Sequence, residues 1–198
     1  MKKLALATLS ILAITFTSCK NEAKKTETET ESTVTEMKNE NEKTLSETSK
    51  SVAFMLESKS GGNATGKVNF KQDGDMVMFE ASLSGLKPGM HAIHIHENAD
   101  CSSEDGKSAG GHWNPTMKNH GKWGDEAGYH KGDIGNFKVE DDGTGSISMQ
   151  TNEWCIGCGD NTKDILGKSI IVHQGIDDFK SQPSGDAGAR MSCGGIIQ

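Results

Sequence analysis

The chain lacks an excess of basic residues, a sustained helical pattern and an apolar run long enough to span a membrane. Residues 50–198 contain 14 Lys and Arg against 20 Asp and Glu, and this acidic balance argues against nucleic acid as a partner, because phosphate binding needs clustered positive charge. Aromatic residues make up only 5% of the chain, while glycine occurs 24 times. With no repeat of apolar residues at a period of 3.6, this composition argues against a helical fold.

The N-terminus has the features of a secretory signal. Lys2 and Lys3 precede an apolar stretch at residues 4–16, which is too short for a transmembrane helix of ~20 residues. The small residues before Cys19 resemble a bacterial lipobox, which would make Cys19 the lipidated first residue of the mature protein. Ordinary signal cleavage nearby is the alternative. We expect residues 1–18 to be a signal peptide and the protein to be exported to the cell envelope, either to the periplasm or as a membrane-anchored lipoprotein.

A tether is expected between the signal and the domain. Residues 20–49 contain no Gly, Pro or aromatic residue and consist mostly of Lys, Glu, Thr, Asn and Ser. Such a segment cannot bury enough apolar surface to offset chain entropy, so residues 19–49 are predicted to be a lipidated Cys19 followed by a disordered tether. Residues 50–198 then have the length of one domain.

Period-two patterns indicate strands in this domain. The predicted strands lie around residues 68–72, 76–83, 90–97, 137–140, 146–150 and 169–173. Asp73-Gly74 predicts a tight hairpin. Residues 98–135, and a second segment from His173 to about Arg190, show no period, and loops of this length are normally functional. The pattern predicts an all-β antiparallel sandwich or barrel with two long functional loops.

Histidines are the candidate metal ligands, because six of the chain's seven lie in four short fragments. His94 and His96 are two apart on a predicted strand and therefore share a face. His91 is three residues before His94 and points to the opposite face, so it is expected to be structural. His173 ends an apolar strand, at the mouth of a core. A single histidine is usually structural, but this placement of six favours a metal site.

Two four-ligand sets result if His112 gives one ring nitrogen to each of two ions. Imidazoles suit copper, and imidazoles with one carboxylate suit zinc. The predicted copper ligands are His94, His96, His112 and His173. The predicted zinc ligands are His112, His120, His130 and Asp133.

Five segments carry a specific combination of motifs. They are residues 89–97 (GMHAIHIHE), 110–115 (GGHWNP), 130–136 (HKGDIGN), 172–173 (VH) and 188–194 (GARMSCG). Together they resemble the copper/zinc superoxide dismutases of exported bacterial type, across essentially all of residues 51–198. The resemblance implies a flattened eight-stranded Greek-key barrel, one copper and one zinc per chain, and conversion of superoxide to O₂ and hydrogen peroxide by copper redox cycling. It implies the same ligand sets, with His112 as the catalytic bridge.

The resemblance also implies roles for residues outside the ligand sets. Arg190 would stand beside the copper and attract superoxide, although a surface arginine is the alternative. Asp177 would link a copper histidine to a zinc histidine, the alternative being a solvated acid. Cys101 and Cys193 would form a disulfide. Whether the protein forms a homodimer is left open.

Two features depart from the family pattern. The segment from His120 to His130 is one residue longer than expected, so the turn between these zinc ligands must bulge. Cys155 and Cys158 have no counterpart; a local disulfide is expected, while a redox dithiol, half of a zinc site or a role in copper acquisition are alternatives. For the whole protein, the alternatives to a dismutase are a non-enzymatic copper and zinc buffer or donor and a zinc-only structural domain.

Overall fold

The described part of the chain consists mainly of β-strands and the loops that join them. The structure is a computed structural model and describes residues 49–198. Its eight strands are β1 (Lys50–Ser58), β2 (Thr65–Asp73), β3 (Met76–Ser84), β4 (Gly89–His96), β5 (Gly135–Val139), β6 (Gly145–Thr151), β7 (Ser169–His173) and β8 (Arg190–Gly195), with one 3₁₀ turn at Lys107–Ala109.

These strands close into a single antiparallel barrel. The order around the barrel is β1-β2-β3-β6-β5-β4-β7-β8. The first three strands form a meander; β3 then pairs with β6, and β4 pairs with both β5 and β7. The chain therefore crosses between non-adjacent strands, as a Greek key requires. This confirms the predicted eight-stranded all-β barrel.

The alternation along β3 shows how the core forms. Val77, Phe79, Ala81 and Leu83 are each at most 4% exposed, whereas their neighbours face solvent. Because successive strand residues point to opposite faces, one face of β3 lines the barrel interior. The hairpin that joins β2 to β3 pairs Asp73 with Met76, so its turn lies one residue later than the Asp73-Gly74 signal predicted.

Strands β4 and β7 differ from β3 because both of their faces are covered. Every residue from His91 to His96 is buried, and so is every residue of β7. Ile93 and Ile95 belong to the barrel core, while His94 and His96 lie on the opposite face. The long loops at 97–134 and 174–189 cover that outer face and so create a second interior outside the barrel.

The predictions for the N-terminus lie outside the described residues. They are the signal peptide at residues 1–18, the lipidation of Cys19 and all but the last residue of the tether at 19–49. Within residues 49–198, no helix has the length and apolar character that crossing a bilayer would need.

Candidate metal centre

Hydrogen bonds between β4 and the first long loop bring His112 next to the strand histidines. His112 forms an isolated antiparallel bridge with His96. The backbone N–H of Trp113 donates to the carbonyl of Ile95 at 2.9 Å, and that of Ile95 donates to Gly132 at 2.9 Å. A loop with few helical or strand residues of its own is thereby fixed against β4.

The predicted copper ligands meet on this face. The ring centroids of His94 and His112 lie 4.0 Å apart, and those of His94 and His173 lie 4.9 Å apart. His96 Nε2 and His173 Nε2 approach to 3.3 Å. His96 Nδ1 donates to the carbonyl of Gly110 at 3.0 Å, which leaves its Nε2 lone pair directed toward the other rings.

The predicted zinc ligands meet beside the copper set, around Asp133. Asp133 Oδ1 accepts from His112 Nδ1 at 2.9 Å, and Oδ2 accepts from the backbone N–H of His130 at 2.8 Å and of Gly121 at 3.2 Å. Asp133 Oδ2 is also 3.0 Å from His120 Nδ1, without hydrogen-bond geometry. The carboxylate therefore stands among three histidines and is itself fully buried.

Within residues 49–198, four buried ring nitrogens have no hydrogen-bond partner, and this observation tests whether the site fits two metals. They are His94 Nδ1, His112 Nε2, His120 Nδ1 and His130 Nδ1. An unpaired buried polar atom costs free energy, so a group of them at one place calls for a ligand. Each belongs to one of the two predicted sets, and the nitrogens of each set lie within 4.8 Å of one another. Copper and zinc both fit these donors.

Asp177 connects the two ligand sets. Its Oδ2 accepts from His94 Nε2 at 2.9 Å, and its Oδ1 accepts from His120 Nε2 at 2.9 Å. Asp177 is 1% exposed, so it is not a solvated acid. Because it binds the Nε2–H of both rings, it leaves both Nδ1 atoms for metals, which is how outer carboxylates orient ligating histidines.

Three histidines of the copper set are held neutral. Burial, with the neighbouring His112 and His173, holds the pKa of His96 well below its ordinary value. Burial and the neighbouring His94 and His112 do the same for His173. Burial and the nearby His94 lower the pKa of His112 to about 4, against the opposing effect of Asp133. The neutral rings of His96 and His173 each offer a free lone pair, so neither has to lose a proton to bind a metal at neutral pH. His112 would have to lose its one remaining ring proton to bind two metals.

The zinc set has the opposite electrostatics. Burial by itself would lower the pKa of His120, but the adjacent Asp133 carboxylate and the hydrogen bond to Asp177 raise it to about 9. Burial would raise the pKa values of both carboxyls, yet the histidines bonded to them hold both well below their ordinary range. Without a metal, His120 is therefore an imidazolium at neutral pH and lies beside two ionised carboxylates, Asp133 of the zinc set and the bridging Asp177.

Zinc binding is accordingly expected to release about one proton per ion at pH 7, because Nδ1 of His120 must be deprotonated to act as a ligand. The release should vanish as the pH rises above 9, the pKa to which His120 is raised. Calorimetry in buffers of different ionisation enthalpy measures this number. Asp177→Asn should reduce it, since that variant removes one of the two carboxylates that keep His120 protonated. Zinc uptake at pH 7 with no proton release would contradict this account.

Arg190 lies at the cavity that leads to the copper set. The cavity has a volume of about 530 Å³ and is lined by Arg190 together with His96, His112 and His173. The guanidinium donates to the carbonyls of Gly106 at 2.8 Å and Gly110 at 2.7 Å, and burial lowers its pKa. The only arginine of the chain is thus held as a fixed positive charge at the cavity wall.

The other residues singled out from the sequence fall into two groups. Cys101 pairs with Cys193, and Cys155 pairs with Cys158, as disulfides. His91 stays outside both metal sets: its Nδ1 faces the carbonyl of His173 at 2.9 Å and its Nε2 faces that of Lys87 at 2.8 Å. It has the structural position that strand parity predicts.

Two glycines contribute to the site in ways that the sequence did not reveal. The carbonyl of Gly110 accepts from both His96 and Arg190, which links a ligand to the cavity wall. A Cβ at Gly185 would collide with the Asp177 carboxylate and with His120 Nε2. The bare glycine therefore permits the carboxylate bridge. Neither glycine carries a side chain whose chemistry could have signalled its role.

An antiparallel barrel with two adjoining sets of buried imidazoles under its loops defines a class of two-metal β-barrel proteins. Residues 64–196 match the family described as copper/zinc superoxide dismutase (SODC). The chain is 33% identical over 156 residues to the extracellular superoxide dismutase (Cu-Zn) of Haemonchus contortus, covering 74% of this chain and 82% of that protein. This protein belongs to the copper/zinc superoxide dismutase family, as the motifs predicted.

Other relatives are described as dismutase-like. The chain is 34% identical over 140 residues to the superoxide dismutase-like protein YojM of Bacillus subtilis (strain 168), covering 69% of this chain and 71% of that one. A crystal structure of a double mutant of a SOD-like protein from Bacillus subtilis has a TM-score of 0.65 at 33% identity, covering 74% of this chain and 97% of that chain. The clock protein EA4 has a TM-score of 0.63 at 29% identity, covering 74% and 94%.

Proposed function

We propose that this protein is a superoxide dismutase that converts superoxide to O₂ and hydrogen peroxide. One copper would be held by His94, His96, His112 and His173, and one zinc by His112, His120, His130 and Asp133. The observation that carries the proposal is the set of four buried, unpaired ring nitrogens, because each is a donor atom that one of these two ligand sets needs. Bound copper supplies the one-electron redox chemistry, and zinc supplies a fixed charge without redox chemistry.

The residues of the chain have distinct roles in this proposal. His112 belongs to both sets, so its Nε2 is placed to hold a proton when it is not a ligand and to return that proton to the reduced product. Asp177 orients His94 and His120 through their Nε2–H groups. Arg190 presents a permanent positive charge to an anionic substrate at the cavity wall.

Arg190 is expected to set the rate of substrate capture. Arg190→Ala should lower kcat/KM about 10-fold or more and weaken its dependence on ionic strength, because attraction of an anion by a fixed charge is screened by salt. Stopped-flow decay of superoxide at several salt concentrations, on protein loaded with both metals, measures this. Arg190→Lys keeps the charge but not the forked bonds, so an intermediate rate is expected.

A matched control separates steering from general charge effects. Lys71→Ala removes an exposed cation from β2, away from the cavity, and should leave rate and salt dependence unchanged. If Arg190→Ala behaves like Lys71→Ala, Arg190 has no steering role. If wild-type protein holds both metals and yet gives no dismutation above free copper, the protein is instead a copper and zinc buffer or donor.

We also propose that the protein is exported and anchored by lipid at Cys19. Relatives described as extracellular enzymes support export, and two disulfides are compatible with an oxidising compartment. The mass of the mature N-terminal peptide tests the anchor: an acylated Cys19 is expected, and an unmodified N-terminus after cleavage elsewhere would contradict it.

A further inference from the structure

The loop between β6 and β7 packs against the segment that carries zinc ligand His130. Glu153 Oε1 accepts from the hydroxyl of Tyr129 at 2.6 Å, and Glu153 also forms an ion pair with Lys131. Trp154 Nε1 donates to the carbonyl of Lys131 at 2.8 Å. Both sequence neighbours of His130 are therefore held by two consecutive residues from a different loop.

Aromatic packing adds to the contact between the two loops and links it to the barrel core. Trp154 is 1% exposed and packs edge-on against the core rings Phe70 and Phe79, with centroids 5.9 and 6.3 Å apart. It also packs edge-on against Trp123 at 5.3 Å, and Trp123 lies 5.0 Å from Tyr129. Trp154 thus connects the barrel core to the zinc-ligand segment.

The segment between His120 and His130 has little internal structure that could replace this support. Two successive turns form it, with the N–H of Asp125 bonded to Lys122 at 3.0 Å and the N–H of Gly128 bonded to Asp125 at 3.1 Å. Residues 124–127 are all exposed. The sequence comparison with the family motifs predicted one extra residue in this segment. The two departures from that pattern, the longer segment and the Cys155–Cys158 pair, belong to loops that contact each other.

The disulfide closes the supporting loop directly after Trp154. Cys155 and Cys158 are joined, and the backbone N–H of Cys155 donates to Lys163 at 2.8 Å. The Asp164 carboxylate accepts from the N–H groups of Gly157 and Gly159, both at 2.9 Å. Cys155 is buried and Cys158 is exposed, so a reductant can reach one sulfur from solvent.

We propose that Glu153 and Trp154, presented by the Cys155–Cys158 loop, are positioning residues for zinc ligand His130, and that reduction of this disulfide speeds zinc release. In the reduction, a thiolate of an external dithiol attacks the exposed Sγ of Cys158 and Cys155 leaves as a thiolate. The second thiol of the reductant then attacks its own sulfur in the mixed disulfide with Cys158, which closes the reductant's disulfide and releases Cys158 as a thiolate. Two electrons and two protons pass from the dithiol to the cysteine pair. This inference rests on the zinc site of the proposed function.

Zinc release from copper-free protein tests the positioning role without any enzymatic assay. The rate at which a chromogenic chelator removes zinc is measured for wild type, Glu153→Ala, Glu153→Gln and Trp154→Phe. We expect release about 10-fold faster in Glu153→Ala, in line with the effect of outer partners on metal affinity. Glu153→Gln keeps an acceptor for the Tyr129 hydroxyl, so its rate of zinc release should lie between those of wild type and Glu153→Ala. Trp154→Phe keeps the ring but loses the bond to Lys131, and should release zinc faster than wild type.

A control pair distinguishes this effect from loss of any carboxylate. Lys138 and Glu140 form an exposed ion pair on β5 and the turn after it, so Glu140→Gln should leave zinc release unchanged. Equal release rates in wild type, Glu153→Ala and Trp154→Phe would overturn the positioning role while leaving the zinc site intact. A wild-type protein that binds no zinc after loading would overturn both this inference and the zinc assignment.

The redox step needs a separate test, because a dithiol can also reduce the Cys101–Cys193 disulfide. Wild type and Cys155→Ser/Cys158→Ser are compared with and without dithiothreitol. The double variant should release zinc faster in both conditions and show no further response to the reductant, whereas wild type should respond. An equal response in both proteins would assign the effect to the other disulfide and overturn the proposal.

Discussion

Asp133→Asn is expected to lower zinc affinity by at least about 100-fold, since even an outer partner of a ligand contributes 10- to 100-fold. Asp133 is the one carboxylate of the zinc set and stands among His112, His120 and His130. An amide has nearly the same shape but no charge, and its nitrogen would face the imidazoles as a competing donor. The variant therefore removes the anion that makes this set selective for zinc.

Competition between the variant and a chelator of known zinc affinity measures the loss. Asp75→Asn changes an exposed aspartate in the turn between β2 and β3 and should leave zinc affinity unchanged. Copper binding should be affected less than zinc binding in Asp133→Asn, because His112 is the only one of the four copper ligands that is bonded to Asp133. Near wild-type zinc affinity would show that zinc binds elsewhere, and simultaneous loss of copper would show that the variant disrupts the fold.

The parts of the fold predictable from sequence are the strands with one polar face. β3 alternates cleanly, because Val77, Phe79, Ala81 and Leu83 face the core while polar or softer residues face solvent. The sequence of β1 does not alternate between apolar and polar residues. Phe54 and Met55 are apolar neighbours that point to opposite faces, and Met55 is 62% exposed. β8 is not predictable from the sequence for another reason. Its sequence, RMSCGG, has few large apolar side chains, so it shows no alternating hydrophobic pattern.

The candidate site was predictable where chemistry and strand parity act together. Parity separates His91 from His94 and His96, and the structure gives His91 backbone partners and leaves the other two among the ligand sets. The bonded nitrogen of each ring was not predictable, because it depends on groups such as the Gly110 carbonyl that only tertiary structure brings near. The ion pair between Glu153 and Lys131 was not predictable either, because these residues belong to different loops and no rule of sequence spacing relates them.

Replacing Cys101 and Cys193 together by alanine is expected to destabilise the metal-free protein by roughly 4–5 kcal/mol on the chain-entropy model. The cross-link joins residues 92 apart, and its loss releases a large loop in the unfolded chain. The expected fall in Tm is roughly 10–15 °C for a domain of this size. Calorimetric unfolding in the presence of a chelator measures it without the contribution of bound metal.

The second disulfide provides the control within the same chain. Cys155 and Cys158 are only 3 residues apart, so Cys155→Ser/Cys158→Ser should cost roughly 2 kcal/mol on the same model. Equal losses in the two double variants would contradict the entropic account.

Loss of the Cys101–Cys193 disulfide should also change the position of Arg190 at the wall of the cavity. Cys101 begins the loop whose Gly106 and Gly110 carbonyls hold Arg190, and Ala109 of that loop packs with Ile171 and Cys193. Once the disulfide is removed, the loop is held against the barrel only by non-covalent contacts, which are this packing, backbone hydrogen bonds and side-chain bonds such as that of Lys59 Nζ to the Cys101 carbonyl. The folded, metal-loaded variant should therefore show the weakened salt dependence of Arg190→Ala, even though Arg190 itself is unchanged. Wild-type salt dependence in that variant would mean that the loop holds the guanidinium without its covalent tie.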